Sequence, residues 1–192
     1  MIFFLYILII IFLIEFFLFF NIKFLQSKIP WIITNDDEYP YFDKLKIKNF
    51  LKKTYDPLLG WNWKPNTKHK EKINSKFNHI FFGKFGERKS QKFKQKYKFA
   101  SFGDSFVFCR YVKNSETWQN YLTKYSTYNG LNFGVGNFGL DQIYLKYSTT
   151  NIPKNIKTIF IGFVPETLSR CLCMWKHYHE FNNIYAFKPK FI

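Results

Sequence analysis

Three short apolar runs, Phe99–Phe102, Leu131–Val135 and Thr158–Phe163, alternate with segments of helical spacing, and this pattern constrains the fold most. Apolar runs of that length, bounded by turn residues, read as buried strands. Between the first two, Trp118, Tyr121, Leu122 and Tyr125 fall at i, i+3, i+4 and i+7, one face of a helix that Asn114 or Ser115 can cap. Leu140, Ile143, Tyr144 and Tyr147 repeat the spacing before the third run. Leu168, Cys171, Leu172 and Trp175 follow it, with Cys171 on the apolar side and expected in the core. Strand and helix in strict alternation predict a parallel α/β sheet with right-handed crossovers and helices on its faces. A sheet of three strands is narrow, so the sequence reads as an incomplete domain, cut after its third strand.

The N-terminus is a different kind of segment. Met1 to Phe20 is apolar except for Glu15, long enough to cross a bilayer as a helix. It lacks the basic start, short apolar core and small-residue cleavage site of a secretory signal, so an uncleaved single-pass anchor over residues 1–22 is the better reading. Lys23 and Lys28 follow the span and favour a cytoplasmic C-terminus. Lysines occur throughout the chain, which leaves the side of the membrane open. Residues 23–96 form a juxtamembrane connector and N-terminal region, and residues 97–192 the α/β domain.

The 192 residues carry a formal net charge of +16. Such a balance suits nucleic acid, anionic lipid or acidic polysaccharide. The excess of Phe, Tyr, Ile, Asn and Lys, which share A/T-rich codons, would also follow from a biased genome. No nucleic-acid module is visible, and no nucleic-acid partner is expected. Lys92–Lys98 alternates charge and aromatic, as a solvated lead-in to the first strand or a contact for polyanions or lipid headgroups. Cys109, Cys171 and Cys173 show no disulfide spacing. His177 and His179, two apart near a helix end, make a weak metal pair, and neither a metal nor a cofactor is implied.

Chemistry concentrates where strands end. The first run stops at Gly103-Asp104-Ser105, which delivers a serine to the carboxyl edge of the sheet, where open α/β folds place their sites. Such a serine needs a base, normally a histidine oriented by a carboxylate. The second run leads into a glycine-rich stretch, Gly134, Gly136 and Gly139, that lets backbone approach a ligand. Its glycine spacing matches a dinucleotide fingerprint, but no complete Rossmann unit surrounds it.

Taken in order, several pieces resemble the SGNH (GDSL-like) hydrolase family, in its membrane-anchored bacterial branch. They are Asp56–Trp61 with Lys64–Asn66, Ile73–Ser75, Gly103–Phe106, Glu116–Trp118, Asn132–Val135 and Gly139–Gln142, and they cover roughly residues 55 to 165. The resemblance implies a flavodoxin-like three-layer α/β sandwich, incomplete here and preceded by the transmembrane helix. It implies a serine esterase or acyl hydrolase acting on an acyl or acetyl ester of a glycan or lipid. Ser105 takes the place of the nucleophile, its own N–H contributing to the oxyanion hole. A second N–H comes from the turn after the second strand, where Asn137, beside Gly136, stands in the glycine's position. The third motif's oxyanion asparagine has no counterpart in Gly162–Thr167, where Glu166 stands instead, and losing such a donor costs about 3 kcal/mol in the transition state. The fourth motif, Asp-x-x-His, is missing, so the chain lacks the family's general base. A non-catalytic membrane-anchored binding or assembly module on the same fold is the alternative.

Overall fold

The computed structural model describes residues 2–28, 43–73, 76–90, 96–126, 128–172 and 188. The chain divides into two compact units, residues 1–41 and 42–192.

The first unit is built on α1 (Ile2–Lys28). Its stretch Phe3–Leu25 is long and apolar enough to cross a membrane, and none of it is buried in the protein. At 1.5 Å per residue it would reach about 35 Å, more than the roughly 30 Å of a bilayer's hydrocarbon core.

The second unit begins with α2 (Lys44–Lys53), capped by Asp43, whose carboxylate accepts from the Leu45 and Lys46 N–H groups. Two antiparallel hairpins follow: β1 (Tyr55–Asp56) with β2 (Gly60–Trp61), and β3 (Lys68–Ile73) with β4 (Lys76–Phe81). The first turn closes because Asp56 Oδ1 accepts from both Leu58 and Leu59 N–H. Next come β5 (Tyr97–Gly103), α3 (Ser105–Phe108), a 3-10 turn (Asn114–Glu116), α4 (Trp118–Tyr125) and β6 (Asn129–Asn132). The described elements finish with α5 (Leu140–Thr149), β7 (Thr158–Gly162) and α6 (Pro165–Leu172).

The three expected strands form one parallel sheet, in the order β6-β5-β7, with β5 central. The fold is mixed α/β. Alternate residues of β5 serve opposite faces. On one face Phe102 is fully buried, its ring stacked on Phe133 at 4.9 Å and met edge-on by Tyr147 of α5. Each such buried Phe contributes roughly 2–3 kcal/mol. On the other, the Ser101 hydroxyl accepts from Gln119 of α4 and donates to the Leu131 carbonyl.

The helix faces differ from expectation. Trp118, Tyr121, Leu122 and Tyr125 are 37–76% exposed, and α4 buries Gln119, Asn120 and Thr123 instead. Helix α5 buries Gln142 and Lys146 beside Ile143, leaving Tyr144 and Tyr147 exposed. Helix α6 buries Thr167 and Arg170, while Leu168 and Cys171 are exposed. Trp175 lies outside the described residues. The physical reason is common to all three. The sheet's carboxyl edge is built of loops with buried carbonyls and N–H groups, and long polar side chains satisfy them where apolar ones cannot. The cap of α4 is Thr117, whose hydroxyl accepts from the Asn120 N–H, rather than Asn114 or Ser115, which belong to the 3-10 turn.

Candidate functional site

Ser105 follows directly from the end of the central strand. Gly103 and Gly162 face each other in register at the ends of β5 and β7. A Cβ on Gly103 would come within 2.3 Å of Val107 Cγ2, and one on Gly162 within 2.4 Å of the same atom. The two glycines therefore let α3 fold back tightly across the strand ends. Asp104 caps that short helix, its Oδ1 accepting from the Phe106 N–H at 2.9 Å. Its other oxygen faces Arg170 of α6, with Nη1 to Oδ2 at 3.4 Å in a fully buried pair. Arg170 also donates to the Phe138 carbonyl at 3.3 Å, so one guanidinium ties together the ends of β5, α6 and the loop after β6.

That loop, residues 133–139, lies against α3. A Cβ on Gly134 would sit 2.2 Å from the Phe108 nitrogen, so only glycine permits this approach. The Gly134 N–H donates to Asn132 Oδ1, and the Val135 N–H to the Gly103 carbonyl, both at 2.9 Å. Asn137 sits at φ 63°, in the left-handed region that glycine adopts freely and asparagine tolerates best among other residues. Asparagine thus keeps the turn a glycine would make. Gly136 borders open space, since a Cβ there would meet nothing within 4 Å. Its carbonyl is held by Trp61 Nε1 at 3.1 Å.

Arg88 is 2% exposed and has no carboxylate facing it among the hydrogen bonds it makes. It donates instead to the carbonyls of Phe108, Cys109 and Val112 and to Asn114 Oδ1, at 2.5–3.0 Å. Burial lowers its pKa, opposed by Cys109 and Glu71 nearby. The segment it clamps contains Cys109 and Tyr111, both at positive φ, on either side of Arg110. Arg110 Nε in turn lies 3.2 Å from Glu71 Oε1 on β3. The Cys109 thiol is pushed up by burial, which disfavours the thiolate and any nucleophilic use.

Beside Gly136 and Asn137 lies a half-open cavity of about 290 Å³. Trp61, Trp63 and Phe108 form aromatic walls, with His69, Glu71 and Arg110 as polar lining. Burial, chiefly, lowers the His69 pKa, with Lys53 and Arg110 adding to it against Glu71. Below the same lining, Lys146 is buried with its Nζ 2.7 Å from Asn62 Oδ1. Desolvation lowers its pKa to about 7, with Asp56 pulling the other way.

The structure brings Ser105, Gly136 and Asn137 to the same edge of the sheet and leaves other expected residues apart. Among the described residues no hydrogen bond reaches the Ser105 hydroxyl, and neither His69 nor His79 is bonded to it. His177, His179, Cys173 and most of Lys92–Lys98 lie outside the described residues. Glu166 is exposed in the first turn of α6. Among the described residues no group of three His, Cys, Asp or Glu side chains is placed to hold a metal. Arg88, Arg110, Glu71 and Trp63 escaped sequence reasoning, because each acts through partners distant in the chain. The one available signal was the Gly86-Glu87-Arg88 triplet opening a basic segment. Comparison with models of protein families and with curated proteins finds no match to this chain.

Proposed function

We propose that the chain is a membrane-anchored serine hydrolase of SGNH type, with a flavodoxin-like sandwich, acting on an acyl or acetyl ester of a glycan or lipid. Ser105 Oγ attacks the ester carbonyl, the alcohol departs carrying the serine's proton, and water then cleaves the acyl-serine to the free acid. The Ser105 N–H and those of the turn at Gly136 and Asn137 receive the oxyanion. The observation that supports this reading is the close approach of Gly134, in the loop after β6, to Val107 and Phe108 of α3, the short helix that Ser105 opens. The left-handed Asn137 supports it, because the turn then has the form a glycine would give it. Helix α1 serves as the single-pass anchor, its length matched to a bilayer.

Among the described residues the Ser105 hydroxyl has no hydrogen-bond partner, which favours a second reading. A serine without a hydrogen-bonded base is a poor nucleophile, as expected of a non-catalytic binding or assembly module. The two separate in one assay on the purified full chain in detergent. The hydrolase reading expects turnover of p-nitrophenyl acetate that Ser105→Ala reduces to the uncatalysed rate, low in absolute terms because among the described residues no base is bonded to Ser105. Identical rates for the two proteins would sink it in favour of the module.

A further inference from the structure

We infer that the cavity beside Gly136 and Asn137, with a lysine-lined cleft adjoining it, binds the sugar residues of an acidic glycan. The choice of ligand rests on the glycan arm of the proposed function, but not on catalysis by Ser105.

Two buried polar atoms of opposite kind belong to residues that line the cavity. Trp63 Nε1, a donor, and Glu71 Oε2, an acceptor, are both buried with no hydrogen-bond partner among the described residues. Groups left in that condition are costly and call for an explanation. Sugar hydroxyls can meet both kinds of need, since a hydroxyl accepts from an indole N–H and donates to a carboxylate. An ionised phosphate can serve only the first and is repelled by the second. The carboxylate therefore selects a sugar over a phospholipid headgroup or a nucleic-acid backbone. Aromatic walls with a few convergent polar groups are the usual make-up of a small-ligand site, and the volume of about 290 Å³ suits a single ring.

The charge of the ligand follows from the neighbouring cleft. A second cavity of about 750 Å³ shares Phe50, Thr54, Trp63 and His69 with the first. It is lined by Lys52, Lys53, Lys64, Lys68 and Lys70. The lysines that line this cleft give it a positive potential, which favours carboxylates on a chain that runs into it from the first cavity. His69, in the wall the two share, lies tilted against Trp63 with ring centroids 4.8 Å apart. Burial lowers the pKa of its imidazole, which favours the neutral ring, able to donate or accept toward a sugar. Arg110, clamped in place through Arg88, stands at the cavity rim.

The test is calorimetric titration of the full chain in detergent with galacturonic acid and hyaluronan hexamers, beside a neutral glucose hexamer and phosphatidylglycerol vesicles. At least one acidic hexamer is expected to bind, about tenfold or more tighter than the neutral one. Trp63→Phe, which removes the indole N–H together with one ring of the aromatic wall, should weaken it about tenfold or more. Arg110→Gln, which removes the cation of the lining and its ion pair with Glu71, should weaken it similarly. Failure of both acidic hexamers to bind would overturn the proposal. So would binding indifferent to both substitutions, or vesicle binding of equal strength, since either marks charge adhesion alone. Binding without turnover of p-nitrophenyl acetate would sink the hydrolase reading only, and turnover without glycan binding would sink this one only.

Discussion

The two edges of the parallel sheet have opposite surroundings. Along β6 all four residues are buried, although two of them are asparagines and one is glycine. Along β7 the run Thr158–Gly162 is exposed or half-buried throughout, although Ile159, Phe160 and Ile161 are apolar. The difference lies in what each edge meets. Arg88 donates its N–H to the Asn132 carbonyl at 2.7 Å and brings the N-terminal hairpins over β6. Among the described residues nothing pairs with the outer side of β7. Burial therefore follows the availability of a covering segment more than the polarity of the strand. The cavity and the glycine-rich turn both lie on the covered side.

Four substitutions probe that contrast, beginning with the strongest. Arg88→Ala should cost about 4 kcal/mol in chemical denaturation, because three carbonyls and an amide oxygen lose a charged donor at once. A loss below about 1 kcal/mol would mean that the hairpins cover β6 without it. Gly134→Ala should cost about 1–3 kcal/mol, since its Cβ would press on backbone rather than on a side chain that can rotate. It should also lower any Ser105-dependent esterase rate, because the backbone it displaces belongs to the helix that Ser105 opens.

Lys146 gives a pH signature. Its folded pKa of about 7 lies below that of the unfolded chain, near 10.4. Between these values the unfolded state binds more protons, so stability rises with pH, by at most about 1.4 kcal/mol per unit, and is flat below. Lys146→Met should flatten the profile without orphaning Asn62 Oδ1, which also accepts from the Trp63 N–H. A wild-type profile flat from pH 7 to 10 would refute the burial of a charge-poor lysine there. Leu168→Ser, on the open side, should change stability by less than about 0.5 kcal/mol. A loss of 2 kcal/mol would reveal that its face is covered in solution.

Much of this was legible from local pattern. The strands at 99, 131 and 158 and the helices after them were readable because an apolar run and a helical period are properties of neighbours in sequence. Ser105 at the strand end was readable for the same reason, as was the length of α1. The helix faces were misread by the same logic, for periodicity reports which residues share a side and not which side turns inward. Gln119, Gln142 and Arg170 are buried because they reach the carbonyls of Val107, Leu59 and Phe138. Two of those three partners lie more than thirty positions away in the chain.

The sequence by itself determined the alternation of strand and helix, the apolar N-terminal helix and the position of Ser105 after the central strand. Only the tertiary structure decided the order β6-β5-β7, the left-handed turn at Asn137, the Arg88 clamp and the cavity of Trp63, His69, Glu71 and Arg110. Propensity and period act over a few residues, whereas a buried polar group is placed by whichever distant backbone needs its hydrogen bond.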